Sequence, residues 1–171
     1  MATYLVLTVI GDDRPGLVEQ LANTVAANSG NWLESSMSQL AGKFAGILKI
    51  SVPDNNADKL VSDLQASSNN LKLVIEKVND IGEVDQHQII NLNLVGNDRP
   101  GIVKEISAAL ASQGVNVEEL NTHCSPAPMS GEMLFTVKSR LRVPAGLDME
   151  ALKNGLEEIA DDLIVDINID Q

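Results

Sequence analysis

The chain has 171 residues, 44% of them hydrophobic and 21% charged, a balance that suits a globular protein and excludes a disordered or fibrous one. A net charge of −12 and only 2% aromatic residues argue against direct nucleic-acid binding, which needs cations against phosphate and rings for base stacking. One cysteine, Cys124, and two histidines supply neither an intrachain disulfide nor the usual zinc set, so no metal or other cofactor is expected.

No apolar run approaches the ~20 residues of a membrane span, and Met1-Ala2-Thr3-Tyr4-Leu5 lacks the basic lead-in of a secretion signal. The expectation is a cytoplasmic protein without membrane contact. In chain order, Tyr4 to Ile10 is an apolar, β-branched run that reads as a strand. It ends in Gly11-Asp12-Asp13-Arg14-Pro15-Gly16, after which Leu17, Val18, Leu21 and Val25 form one stripe of a helix with Pro15 in its first turn. That helix should end near Ser29-Gly30. Asn31 to Leu40 and Lys43 to Val52, joined by Ala41-Gly42, read as a hairpin stopped by Pro53. A second helix carries Leu60, Val61 and Leu64, and a last strand carries Leu71, Leu73 and Ile75.

The pattern then repeats. Gly96-Asn97-Asp98-Arg99-Pro100-Gly101-Ile102-Val103 restates Gly11 to Val18 at an offset of 85 (14 to 99), and Ile106, Leu110 and Asn116 restate Leu21, Val25 and Asn31. Val143-Pro144 restates Val52-Pro53 at an offset of 91 (53 to 144). About six extra residues therefore lie between, and Ser125-Pro126-Ala127-Pro128-Met129-Ser130-Gly131 reads as an enlarged hairpin loop. Ile90, Leu92 and Leu94 alternate with Asn91 and Asn93 as a strand, and a helix ends near Gly114. Asn116 to Cys124 pairs with Glu132 to Val143, Leu147, Leu152, Leu156 and Ile159 mark a helix, and Leu163 to Ile169 alternates as the final strand. The order is βαββαβ twice. This predicts an α+β protein of two tandem ferredoxin-like domains, each a four-stranded antiparallel sheet with its helices on one face. The domains are drawn at 1–80 and 87–171, with 81–86 in the acidic junction as linker.

Chemistry concentrates in the loop after each first strand. Backbone N–H groups at a helix N-terminus attract a carboxylate, and the neighbouring acids can accept from an ammonium, a combination that suits an amino-acid zwitterion. The candidate contacts are Gly11, Asp12, Asp13 and Arg14 in the first copy and Gly96, Asn97, Asp98 and Arg99 in the second. Asp13 and Asp98 also read as helix N-caps. Arg14 and Arg99 read either as carboxylate clamps or as members of surface ion pairs. Gly16 and Gly101 read as sites of close helix–strand approach, and Gly11 and Gly96 as sharp strand-end turns that leave room for a ligand. Asn31 and Asn116 offer both a donor and an acceptor to a ligand, with a turn or cap role as the alternative. His123 and Cys124 are neighbours on a strand and so point to opposite faces, which makes a structural role the expectation. Trp32 reads as an inter-domain or core contact or as a pocket wall, and Glu157-Glu158 with Asp161-Asp162 as a solvated face, with metal binding as the alternative.

The Asp-Arg-Pro-Gly-[Leu/Ile]-Val loop, the helix after it and the glycine-to-asparagine entry into the next strand resemble the ACT domain, across essentially the whole chain. The tandem arrangement, with Asn-Val-Glu-Glu-Leu-Asn-Thr-His-Cys at 116–124, is similar to the glycine cleavage system transcriptional repressor group. The resemblance implies a small amino acid, glycine foremost, as ligand, bound between two domains by the first loop and the start of the second strand. It also implies regulation of glycine-cleavage genes through a protein partner, a DNA-binding activator, and it is compatible with a homodimer. No catalytic domain is attached, so a regulator rather than an enzyme is expected. Two alternatives stand beside it. One is a constitutive protein-interaction module without ligand. The other is an acylphosphatase-like enzyme using Arg14 with Asn31 or Arg99 with Asn116, disfavoured because Pro15 and Pro100 remove an N–H where phosphate would need one.

Overall fold

The computed structural model describes residues 1–79 and 87–169. The linker expected at 81–86 lies outside the described residues. The chain divides into two compact units, Met1–Glu83 and Val84–Gln171. The first contains β1 (Ala2–Asp12), α1 (Leu17–Ala27), β2 (Asn31–Leu40), β3 (Lys43–Pro53), a single 3-10 turn (Asp54–Asn56), α2 (Ala57–Ser67) and β4 (Leu71–Val78). The second contains β5 (Gln88–Asn97), α3 (Ile102–Ser112), β6 (Asn116–Pro126), β7 (Met133–Val143), α4 (Met149–Glu157) and β8 (Ile164–Ile169). The sheets run β2-β3-β1-β4 and β6-β7-β5-β8, every neighbour antiparallel, as the split βαβ reading requires.

Alternation along the strands sorts the two faces of each sheet. In the first unit Leu5, Leu7 and Val9 are fully buried, and they form one cluster with Leu17, Leu21 and Val25 of α1 and Leu60 and Leu64 of α2. The opposite face keeps Ile10, Ile47 and Val74 exposed. The second unit repeats the scheme with Ile90, Leu92 and Leu94 under Ile106 and Leu110 of α3 and Leu152 and Leu156 of α4. Each such leucine or isoleucine stabilises its unit by about 1.5–3 kcal/mol relative to exposure. Trp32 is half-buried and packs against the first core, while its indole N–H donates to Ser35 Oγ at 3.1 Å. No helix among the described residues is long and apolar enough to cross a membrane.

Local chemistry explains where elements begin and end. Ala41 and Gly42 both have positive φ, 50° and 77°, the signature of the tight turn whose twist matches a hairpin. Helix α4 is shorter than its apolar stripe. Asp148 caps it by accepting from the Glu150 and Ala151 N–H groups at 3.0 and 3.1 Å, so Leu147 and Ile159 pack on the core from outside the helix. Strand β6 continues through Ser125 and Pro126, so the enlarged loop opens at Ala127 rather than at Ser125. Pro126 is tolerated because β6 is an edge strand. The edge strands β2 and β6 are bulged near their start, between Trp32 and Glu34 and between Val117 and Glu119.

Candidate functional site

The two candidate loops lie at the C-terminal ends of β1 and β5, against the far ends of the neighbouring strands. The Asp13 N–H donates to the Gly42 carbonyl at 3.0 Å, and the Asp98 N–H to the Met133 carbonyl at 2.8 Å. Each loop is thereby tied to its unit's β2–β3 or β6–β7 hairpin. The glycines after the prolines occupy the N-cap positions of α1 and α3, with φ 89° and 88° and no side-chain cap. This corrects two expectations. Asp13 and Asp98 do not cap the helices, because a left-handed residue stands between them and the first turn. Gly16 and Gly101 are not sites of close approach either: a Cβ would meet nothing within 4 Å at Gly16 and only Glu105 Oε1 at 3.9 Å at Gly101. Their backbone conformation is what calls for glycine. Pro15 and Pro100 likewise precede the helices instead of joining the first turn.

The close approaches fall on the other pair of glycines. Gly11 stays within the ladder, opposite Phe44 and Leu71, and a Cβ there would lie 2.6 Å from the Asn70 carbonyl oxygen and 2.6 Å from Leu71 Cδ2. At Gly96 a Cβ would lie 2.5 Å from Leu163 Cδ2. The space expected for a ligand beside these glycines is therefore filled by a leucine, and the strand does not turn there.

Charge is distributed unequally between the loops. Asp12 pairs with Lys43, whose hydrogen bond and positive charge hold the carboxyl below the usual range. Arg14 is exposed, and its guanidinium donates to the Asn70 side-chain oxygen at 3.2 and 2.9 Å, with the amide turned to accept. Arg99 makes the ion-pair choice. It forms a two-pronged bridge to Glu105 at 3.0 and 2.6 Å and reaches the Ile159 carbonyl at 3.4 Å. The bridge raises the guanidinium's affinity for its proton and depresses the carboxyl of Glu105. The Asn97 N–H is taken by Asp162 Oδ2 at 2.6 Å, so Asp162 is not merely part of a solvated face. Cys124 is exposed on β6 beside Asp98. Partial desolvation and that carboxylate push its thiol above the ordinary value, the opposite of an activated nucleophile.

Asn31 and Asn116 are exposed residues of the edge strands, opposite Ser51 and Arg142. They do not join the loop residues of their own unit. Asp12 pairs with Lys43 while Asn31 pairs with Ser51, eight positions along β3, or about 27 Å at ~3.4 Å per residue. Asn97 and Asn116 are separated equally along β7, from Leu134 to Arg142. Within one unit Arg14 and Asn31 cannot hold one phosphate, which removes the geometry an acylphosphatase-like reading needs. The residues missed by sequence reasoning are Gln20, Asn70 and Glu105, and Asp162 reads from the sequence only as solvated surface. A signal existed for one pair, since Gln20 and Glu105 stand at the repeat offset of 85 (20 to 105).

Residues 3–77 and 90–154 each match the ACT-domain family. The chain belongs to that family. Each matched segment contains the loop and helix described above. Among known proteins, the chain is 21% identical over 162 residues to the glycine cleavage system transcriptional repressor of Escherichia coli K12, covering 94% of this chain and 85% of that protein. A crystal structure of an unknown protein from Galdieria sulphuraria superposes over all of both chains with TM-score 0.88 and 27% identity. A crystal structure named for a glycine cleavage system transcriptional repressor superposes with TM-score 0.70 and 16% identity, over 100% of this chain and 99% of that one. The latter similarity concerns the fold of the tandem ACT pair.

Proposed function

We propose that this tandem ACT protein is a non-enzymatic regulator that senses a small amino acid, glycine foremost, and controls transcription of glycine-cleavage genes through a protein partner. The observation that carries the reading is the match to the E. coli repressor along 94% of the chain, which includes both ACT domains and both loops. Charge supports an indirect route to DNA. At −12 the protein lacks the cationic balance that phosphate binding needs, so the partner, a DNA-binding activator, supplies the contact with the gene. The ligand contacts are sought in the loop residues Asp12, Asp13 and Arg14 or in their counterparts Asn97, Asp98 and Arg99, with Gly11 and Gly96 shaping the strand ends. Asn31 and Asn116 remain candidates as a separate contact.

Thermal unfolding against the twenty amino acids tests this. A ligand at 100 times its dissociation constant adds about 2.7 kcal/mol, several degrees of melting temperature in a protein of this size. A rise confined to glycine supports the sensor. No rise with any amino acid would favour a constitutive interaction module.

A further inference from the structure

The two loops share a motif and differ in what surrounds the arginine. In the second unit the chain's own acids occupy the positions an incoming carboxylate would take. Glu105 accepts both prongs of Arg99, the charge of Asp162 strengthens the hold on that guanidinium, and Asp162 Oδ2 caps the Asn97 N–H at 2.6 Å. In the first unit both acids are replaced by amides. Gln20 stands in the place of Glu105 and turns away to donate to the Ser67 carbonyl. Asn70 stands in the place of Asp162, each directly before the leucine that packs on the strand glycine, and its oxygen accepts from Arg14.

An amide satisfies a guanidinium's hydrogen bonds without cancelling its charge. A ligand carboxylate that reaches Arg14 therefore exchanges a neutral acceptor for a charged one, which roughly doubles the strength of each bond. At Arg99 the same ligand would have to displace a bridge of equal charge and better pre-organisation. The other charges beside Arg14 do not close it. Asp12 is held by Lys43, and among the described residues Arg14 makes no ion pair with Asp13 or with Glu19 of the first helical turn.

The geometry points to one carboxylate anchor per chain: Arg14 in the first ACT domain receives the free carboxylate of an α-amino acid, while Glu105 and Asp162 keep the second loop closed to it. This rests on the sensing reading above and confines the ligand to one of two matching loops.

Calorimetric titration of the full chain with glycine tests it, or with whichever amino acid shifts the melting temperature if glycine does not. Three proteins are compared: wild type, the double variant Gln20→Glu/Asn70→Asp, and the double variant Glu105→Gln/Asp162→Asn. Each substitution installs a side chain that the other unit already carries at that place, and circular dichroism checks the fold. One ligand per wild-type chain, lost at least tenfold in affinity in the first variant, and a second ligand gained beside the first in the second variant, where Arg99 is freed of its acids, is the expected result. Two ligands per wild-type chain, or undiminished affinity in Gln20→Glu/Asn70→Asp, would overturn the assignment and leave sensing intact. If that variant misfolds, Arg14→Gln at an exposed position takes its place, and unchanged affinity there overturns the anchor equally. An absence of binding by every amino acid removes the sensing reading itself, and the anchor with it.

Discussion

Substitutions at Gly16 separate two physical reasons for a glycine directly after Pro15. The residue sits at φ 89° with nothing within 4 Å of the point a Cβ would occupy, so the cost of a side chain is conformational and not steric. Placing an L-residue in the left-handed region costs about 1–2 kcal/mol, less for asparagine, which tolerates it, and more for a β-branched residue. The expected order of destabilisation, mildest first, is Gly16→Asn, then Gly16→Ala, then Gly16→Val. Trp32 is the single tryptophan and packs on the first core, so its fluorescence in urea reports unfolding of this unit, and linear extrapolation yields the differences. For a unit of this size the alanine variant should melt roughly 4–16 °C lower, at about 4–8 °C per kcal/mol. If crowding governed the position, cost would rise with size and asparagine would be worse than alanine. That order would refute the backbone argument.

The other glycine pair should behave differently. Gly11→Ala should destabilise more than Gly96→Ala, because the first sets a Cβ against the Asn70 backbone carbonyl while the second meets the movable end of Leu163; equal melting temperatures would contradict this. Asp148→Ala should cost about 1 kcal/mol through loss of a helix cap, whereas Asp13→Ala should leave stability nearly unchanged, as urea titration of both variants would reveal. Glu105 should titrate below the ordinary glutamate range, because the Arg99 hydrogen bond favours its ionised form. A depressed folded value stabilises the protein above the unfolded value, and that contribution fades as pH falls through the folded one. Carbon NMR titration of the Glu105 carboxyl should show its midpoint return upward in Arg99→Gln; an unmoved midpoint would exclude Arg99 as the cause.

How much is legible in the sequence follows from how local each signal is. The hairpin at Ala41-Gly42 is readable because the turn and both strands are contiguous. The tandem repeat is readable because eight consecutive residues recur with only conservative changes. Capping fails as a guide at Asp13 and Asp98, since aspartate is a favoured cap in general and only the backbone reveals that Gly16 and Gly101 take that position. The Asp162 to Asn97 contact joins residues 65 apart, and a run of acids near a chain's end looks like solvated surface until the fold brings it to the loop. The separation of Asn31 from Arg14 has the same origin: the two are close in sequence, yet the helix between them returns the chain to the opposite end of the sheet.

The bulged edge strands each hold one residue in reserve. In β2, Trp32 lies opposite Ile50 and Glu34 opposite Lys49, so Leu33 has no partner of its own across the ladder; in β6 the supernumerary residue is Glu118. Side chains alternate with a period of two, so losing one residue from a regular strand turns everything beyond it to the wrong face. A strand that already carries a spare can lose it and keep every later pairing, from Glu34 opposite Lys49 to Leu40 opposite Lys43. The two spares are not equivalent. Leu33 is exposed, whereas Glu118 accepts from Arg142 and faces Arg140. The first edge can therefore be shortened by one residue at no electrostatic cost, while shortening the second forfeits a carboxylate that ties two arginines of β7 to the rim.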